Sequence, residues 1–145
     1  MNLNNSVIIK GNKYGIVVVL DKNDDVIRPA ILWNDGRTHK EVDYLNEIIG
    51  KDILSENTAN IAFAGFTAPK ILWVKANEPE NFAKISKIML PKDYLAYKLS
   101  GSFASDVSDL SGTLFFDVKN NGLFFNSQYE ADMLINQGDN LIQNA

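Results

Sequence analysis

The sequence contains no cysteine, which excludes a disulfide framework and any thiolate metal site. It holds one histidine, His39. With no cysteine and no loop of closely spaced carboxylates beside it, metal binding has no support. Positive charge is in the minority: 14 Lys and Arg stand against 18 Asp and Glu, a net charge of -4. That leaves no basic footprint for nucleic acid. Long apolar runs are missing too. The longest is Ile16 to Leu20, far short of the roughly 20 residues of a membrane span. Neither a glycine-rich dinucleotide loop nor a glycine-lysine nucleotide loop occurs. The first five residues have no basic segment leading into an apolar one, so no signal peptide and a cytoplasmic location are expected.

What is present suits an ordinary globular domain. The chain has 145 residues, 46% of them hydrophobic, enough for one domain with a real core. Val7-Ile8-Ile9 predicts a short strand ending at Gly11, and Tyr14 to Asp21 a second one. The second is apolar without alternation, so burial on both faces is expected. Lys22 to Asp25 reads as a polar, solvated hairpin turn, and Val26 to Trp33 as a third, antiparallel strand. Thr38 and Glu41 have capping-box spacing, with Val42, Leu45, Ile48 and Ile49 as one apolar helical stripe ended by Gly50. Asn60 to Gly65 predicts a loop or short strand. Thr67 is placed as the cap of a second helix, with Pro69 in its first turn and Ile71, Leu72 and Val74 packing. A short helix from Pro79, a strand at Ile88 to Leu90 and a helix from Asp93 to Leu99 follow, the last closed by Ser100-Gly101. Asp106 and Asp109 carry helix-capping chemistry. Asn120-Asn121-Gly122 predicts a hairpin turn. Mixed strands and helices of this order indicate an α/β domain.

The segment from Arg28 to Arg37 stands out. It runs from Ile31, Leu32 and Trp33 into Asn34, Asp35 and Arg37. An aromatic face beside an amide, a carboxylate and a guanidinium can hold a polyol: the ring covers C–H groups, and the polar groups exchange hydrogen bonds with hydroxyls. A plainer reading makes Trp33 a core anchor, Asn34-Asp35-Gly36 an ordinary turn and Arg37 a surface cation. Composition alone favours the plainer one. His39 reads as a solvent-facing first-turn residue, since nothing pairs it with a nucleophile. Trp73, Tyr94, Tyr97, Phe115 and Phe116 read as core, and Lys92 as a surface charge.

Four motifs in order change the balance. They are RPAILWNDGRT from Arg28, GFTAPKILWV from Gly65, LPKDYL from Leu90, and SDVSDLSGTL from Ser105 followed by Phe116-Asp117-Val118. Together they resemble the xylulokinases of the FGGY carbohydrate kinase family. The resemblance covers roughly residues 7–120. It assigns residues 1–125 to part of the N-terminal domain and 126–145 to a divergent tail.

The resemblance implies a fold and a site. The fold would be part of an actin-like, ribonuclease-H-like α/β domain, a mixed sheet with helices. The family places sugar at the base of an interdomain cleft and ATP with Mg2+ mostly against the C-terminal domain. By resemblance, Trp33, Asn34, Asp35, Arg37 and Phe66 would meet a ketose or polyol, and Lys70 and Asp106 would brace the pocket. Lys13 and Tyr14 occupy the places of the family's sugar-touching Met-His pair and break it. The family's phosphate-binding hairpin, its catalytic aspartate and its ATP domain would lie outside these residues. A fragment without kinase activity alone is therefore expected, binding neither ATP nor Mg2+ by itself. An exposed sheet edge left by the missing hairpin predicts self-association, or a second chain supplying the missing parts. Neither nucleic acid nor membrane is an expected partner. The alternative is a non-catalytic sugar-sensing or protein-interaction module on the same fold.

Overall fold

The computed structural model describes residues 15–120 together with 122 and 123. The predicted strand at 7–9, Lys13, Tyr14 and the tail at 126–145 lie outside the described residues. The architecture is α/β, but among the described residues the expected mixed sheet is antiparallel throughout: three strands covered by helices, with a separate two-stranded hairpin. Strand β1 (Gly15–Leu20) runs between β2 (Ile31–Leu32) and β3 (Lys87–Met89), antiparallel to both.

β1 explains the layering. Successive side chains on a strand point to opposite faces. Val17 and Val19 join one core cluster with Leu45, Ile49, Leu54 and Ile71, while Val18 and Leu20 join another with Met89 and Tyr94. Both faces are covered, which is why the run shows no polar alternation.

The third strand is shorter than the sequence predicts. The hairpin turn forms as expected, with the Asp21 carboxylate accepting from the backbone N–H of Asn23 and Asp25. Val26 bridges Leu20 and Ile27 donates to Val19, but regular pairing resumes only at Ile31. Pro29 lies in the gap and has no N–H for the ladder. A one-residue bulge between Gly15 and Val17 sets the resumed register. The turn is also less solvated than expected. Asp24, in the left-handed region at φ 65°, accepts from Tyr97 Oη at 2.6 Å and pairs with Lys87. Burial pushes its carboxyl up, but the hydrogen bonds from Lys87 and Tyr97 outweigh it and hold it below the usual range.

The next helical stretch departs in three ways. The capping box does not form: Asp35 caps a 3-10 turn at Gly36–Thr38, and the Thr38 hydroxyl donates to the Ala64 carbonyl at 3.4 Å. Helix α1 (His39–Tyr44) then widens into a π-helical turn, Leu45–Gly50. That widening shifts the phase of the stripe. Leu45 and Ile49 are buried with Val42 against them, whereas Ile48 is 59% exposed. Gly50, at φ 102°, ends the turn, and a helix the apolar pattern does not predict follows, α2 (Lys51–Thr58). His39 is exposed in the first turn of α1, as expected.

Residues 60–65 form no regular element, and α3 (Thr67–Asn77) begins beyond them. Its cap is the extended Phe66 rather than Thr67, whose buried hydroxyl has no hydrogen-bond partner among the described residues. One orphan N–H of the first turn, that of Ala68, is met by the Thr113 carbonyl at 3.1 Å. Ile71, Leu72 and Val74 are buried as expected. Helices α4 (Pro79–Phe82) and α5 (Pro91–Ser100) follow, and Gly101 closes α5 at φ 75°. Asp106 caps α6 (Val107–Ser111) by accepting from the Asp109 N–H. β4 (Phe116–Asp117) pairs with β5 (Gly122–Leu123) across the predicted hairpin.

Lys92 is more than a surface charge. Its ammonium lies 2.6 Å from Asp93 and Asp106 and 3.3 Å from Asp109, tying α5 to α6. Burial works against that charge, but the Asp106 and Asp93 carboxylates hold its pKa above the ordinary lysine value.

Candidate functional site

Two loops meet where β2 ends and α3 begins. After Leu32 the chain turns, with the Asp35 N–H donating to the Leu32 carbonyl. A second turn, Phe63 to Phe66, closes with a 3.0 Å backbone bond. They touch at Gly65, where a Cβ would lie 3.2 Å from the Trp33 carbonyl oxygen. That close backbone approach favours glycine.

Lys70 fastens the two loops together. It is fully buried, and its Nζ donates to the Ala64 carbonyl at 2.7 Å and the Asp35 carbonyl at 3.3 Å. Burial pushes its pKa down, Asp35 opposes this, and Arg37 adds to it. A buried cation is costly unless hydrogen-bonded, and here both of its acceptors are loop carbonyls.

Arg37 and Asp35 form a forked pair. Nε donates to Oδ1 at 2.9 Å and Nη2 to Oδ2 at 2.7 Å, while Oδ1 also accepts from the Arg37 N–H. This side-on geometry is the strong one for guanidinium and carboxylate. The Arg37 hydrogen bond holds the Asp35 carboxyl at about 2, against an ordinary 3.8, and the same pair raises Arg37. The guanidinium lies 4.6 Å from the centroid of the Trp73 ring, within cation–π range.

The sign of the acid response follows. A carboxyl depressed in the folded state contributes stability that is complete above its ordinary value and is lost as pH falls from about 4 towards about 2. Asp35→Asn is therefore expected to lose less stability than the parent chain over that interval, measured by urea unfolding at each pH.

Trp33 is 55% exposed, so it is not a core anchor. Asn34 is exposed beside it. Phe66 is half-buried against the core, and Phe63, 53% exposed, meets its ring edge-on at 5.5 Å between centroids. Trp33, Asp35, Arg37, Phe66 and Lys70 thus belong to one neighbourhood, joined by named contacts. Asp106 is engaged elsewhere, with Lys92 and its own helix.

Two residues of the corner were not legible as such. Phe63 sits in a short apolar stretch that reads as a loop, and Trp73 has the helical spacing of a core residue. The exposed ring of one and the guanidinium on the other appear only once the loops are folded together. The assembly offers aromatic faces, an amide and a donor edge, the equipment for a hydroxylated carbon chain. Among the described residues no three His, Cys, Asp or Glu side chains converge as a candidate metal centre. Nor is any described helix long and apolar enough to cross a membrane.

Residues 8–125 match the model of the N-terminal domain of the FGGY family of carbohydrate kinases. The chain is 50% identical over 103 residues to a xylulose kinase of Lactococcus lactis, covering 71% of this chain and 20% of that protein. It is 44% identical over 113 residues to a xylulose kinase of Staphylococcus xylosus, covering 78% and 23%. Among solved structures it superposes on a "xyloylose kinase" from Brucella ovis with a TM-score of 0.78 and 39% identity, covering 91% of this chain and 26% of that one. The chain therefore spans about a fifth to a quarter of the length of these relatives.

Proposed function

Because this chain belongs to the FGGY family of carbohydrate kinases, of which it carries N-terminal domain sequence, we propose that its Trp33–Arg37 corner is the sugar-facing side of a xylulose-type kinase. The observation that carries this reading is the corner itself. Trp33 stands exposed above loops fastened by the buried Lys70, with the forked Asp35–Arg37 pair beside it. Trp33, Asn34, Arg37 and Phe66 are proposed to meet a ketose or polyol, with Lys13 and Tyr14 at the same pocket. Asp35 retains one lone-pair direction for a hydroxyl, since three of its roughly four acceptor sites go to Arg37. Lys70 and Asp106 are proposed as supports, Lys70 directly and Asp106 through the α5–α6 junction.

The wider reading is the family's. The domain is proposed to be ribonuclease-H-like, with a unit at 1–125 and a separate tail at 126–145, acting in the cytoplasm. ATP with Mg2+ would supply the phosphoryl group in the full-length family enzyme. Self-association, or a second chain carrying the nucleotide side, is proposed to complete the site.

Phosphoryl transfer rests on positioning and charge stabilisation around the γ-phosphate. This chain spans only about a fifth to a quarter of the length of its xylulose kinase relatives. The 145-residue chain alone is therefore expected to show no ATP-dependent phosphorylation of D-xylulose in a coupled ADP-release assay. Saturable turnover by the pure chain would overturn that expectation.

A further inference from the structure

Resting on that reading of the corner, we infer that Trp73 is a positioning residue for Arg37, acting with Lys70 from the same face of α3. The two stand three residues apart, which places them together on one helix face. Lys70 fixes the backbone of the loop through the Asp35 carbonyl, and Trp73 fixes its cation through the ring. The indole is itself anchored, half-buried against the main core cluster.

The geometry determines which edge of Arg37 is available. Nε and Nη2 are committed to Asp35, and the guanidinium carbon lies over the Trp73 ring, 4.6 Å from its centroid. Nη1 has no protein partner among the described residues, and the side chain is 38% exposed. A guanidinium only donates, so the atom it meets is an acceptor: a carbonyl or hydroxyl oxygen of the sugar. Without the ring, Arg37 regains rotamer freedom. The Asp35 pair then becomes an ordinary surface ion pair of small value. On this inference Trp73, which reads from spacing as mere core, sets where the donor edge points.

The test uses the full 145-residue chain with Trp73→Leu and Trp73→Phe. Leucine fills space without an aromatic face, whereas phenylalanine keeps one. Carboxyl-carbon NMR should show Asp35 titrating near 2 in the parent chain, moving towards its ordinary value in Trp73→Leu and remaining low in Trp73→Phe. Affinity for D-xylulose, followed by Trp33 fluorescence, should fall about tenfold in Trp73→Leu and recover in Trp73→Phe. In an Arg37→Met background, Trp73→Leu should cause no further loss. The parent chain gives a check that needs no variant: the Arg37 Nε–H signal should exchange slowly and carry a ring-current shift.

An unshifted Arg37 signal, or an Asp35 titration unchanged in Trp73→Leu, would overturn the inference. A parent chain that shows the Asp35 and Arg37 signatures but no xylulose response would support the positioning role while contradicting the sugar reading.

Discussion

Replacing Ile71 by alanine is expected to lower the unfolding free energy by about 2–5 kcal/mol. Ile71 is fully buried in α3, within the cluster that joins β1, the π-helical turn, α2 and α3. Truncation removes apolar contact and leaves a cavity that surrounding helices cannot fill without moving. The measurement is urea denaturation followed by circular dichroism. The midpoint should fall while the slope stays constant, because the surface exposed on unfolding hardly changes. The effect should reach the corner, because Lys70 precedes Ile71 directly and Trp73 follows two residues later. A shift in α3 is therefore expected to weaken any pentulose response as well as the fold.

Lys70→Met is expected to cost about 1–3 kcal/mol. Two effects oppose each other. Burial already disfavours the ammonium, as its lowered pKa reflects, so removing the charge relieves a desolvation penalty. Against this, the Asp35 carbonyl loses its donor and the Ala64 carbonyl keeps only the longer Thr38 bond. A part-buried carbonyl that loses its donor costs the larger amount where the substituted side chain keeps water from it. The loops at 33–38 and 63–66 then lose their common fastening. Lys70→Met should therefore reduce xylulose binding more than a core substitution of equal stability cost. Comparing the two variants at matched stability separates the positioning role of the ammonium from its contribution to packing.

Much of the fold was legible because local signals and tertiary packing agree. β1 is an unbroken apolar run, Gly101 closes α5, and Asp106 caps α6. In each case the residue type alone determines the local geometry. The departures occur where a distant partner overrides a local signal. Thr38 has the right spacing for a capping box, but its hydroxyl turns to Ala64. Ile48 fits a 3.6-residue stripe, but the π-helical turn rotates it outward. Helix α2 has too few apolar residues, chiefly Ile53 and Leu54, to display a stripe. Lys92 finds its carboxylates on two helices separated by a loop.

The corner shows the same division. The residue types at Trp33, Asn34, Asp35 and Arg37 raised a sugar-binding reading against a plain turn, and composition favoured the turn. The order of four motifs reversed that balance. What spacing could not disclose was the fastening: Lys70 reaching across to two carbonyls, and Arg37 lying on Trp73. Those contacts link residues 35 and 37 to residues 64, 70 and 73, and only the folded chain brings them within reach.

The most direct measurement is a titration of the pure chain with D-xylulose, following tryptophan emission in the parent, in Trp73→Phe and in Trp33→Ala. A saturable change in the first two that disappears in a folded Trp33→Ala is the predicted result. A parent chain whose emission never responds to the ketose, or a response that survives in Trp33→Ala, would contradict a sugar-facing role for this corner.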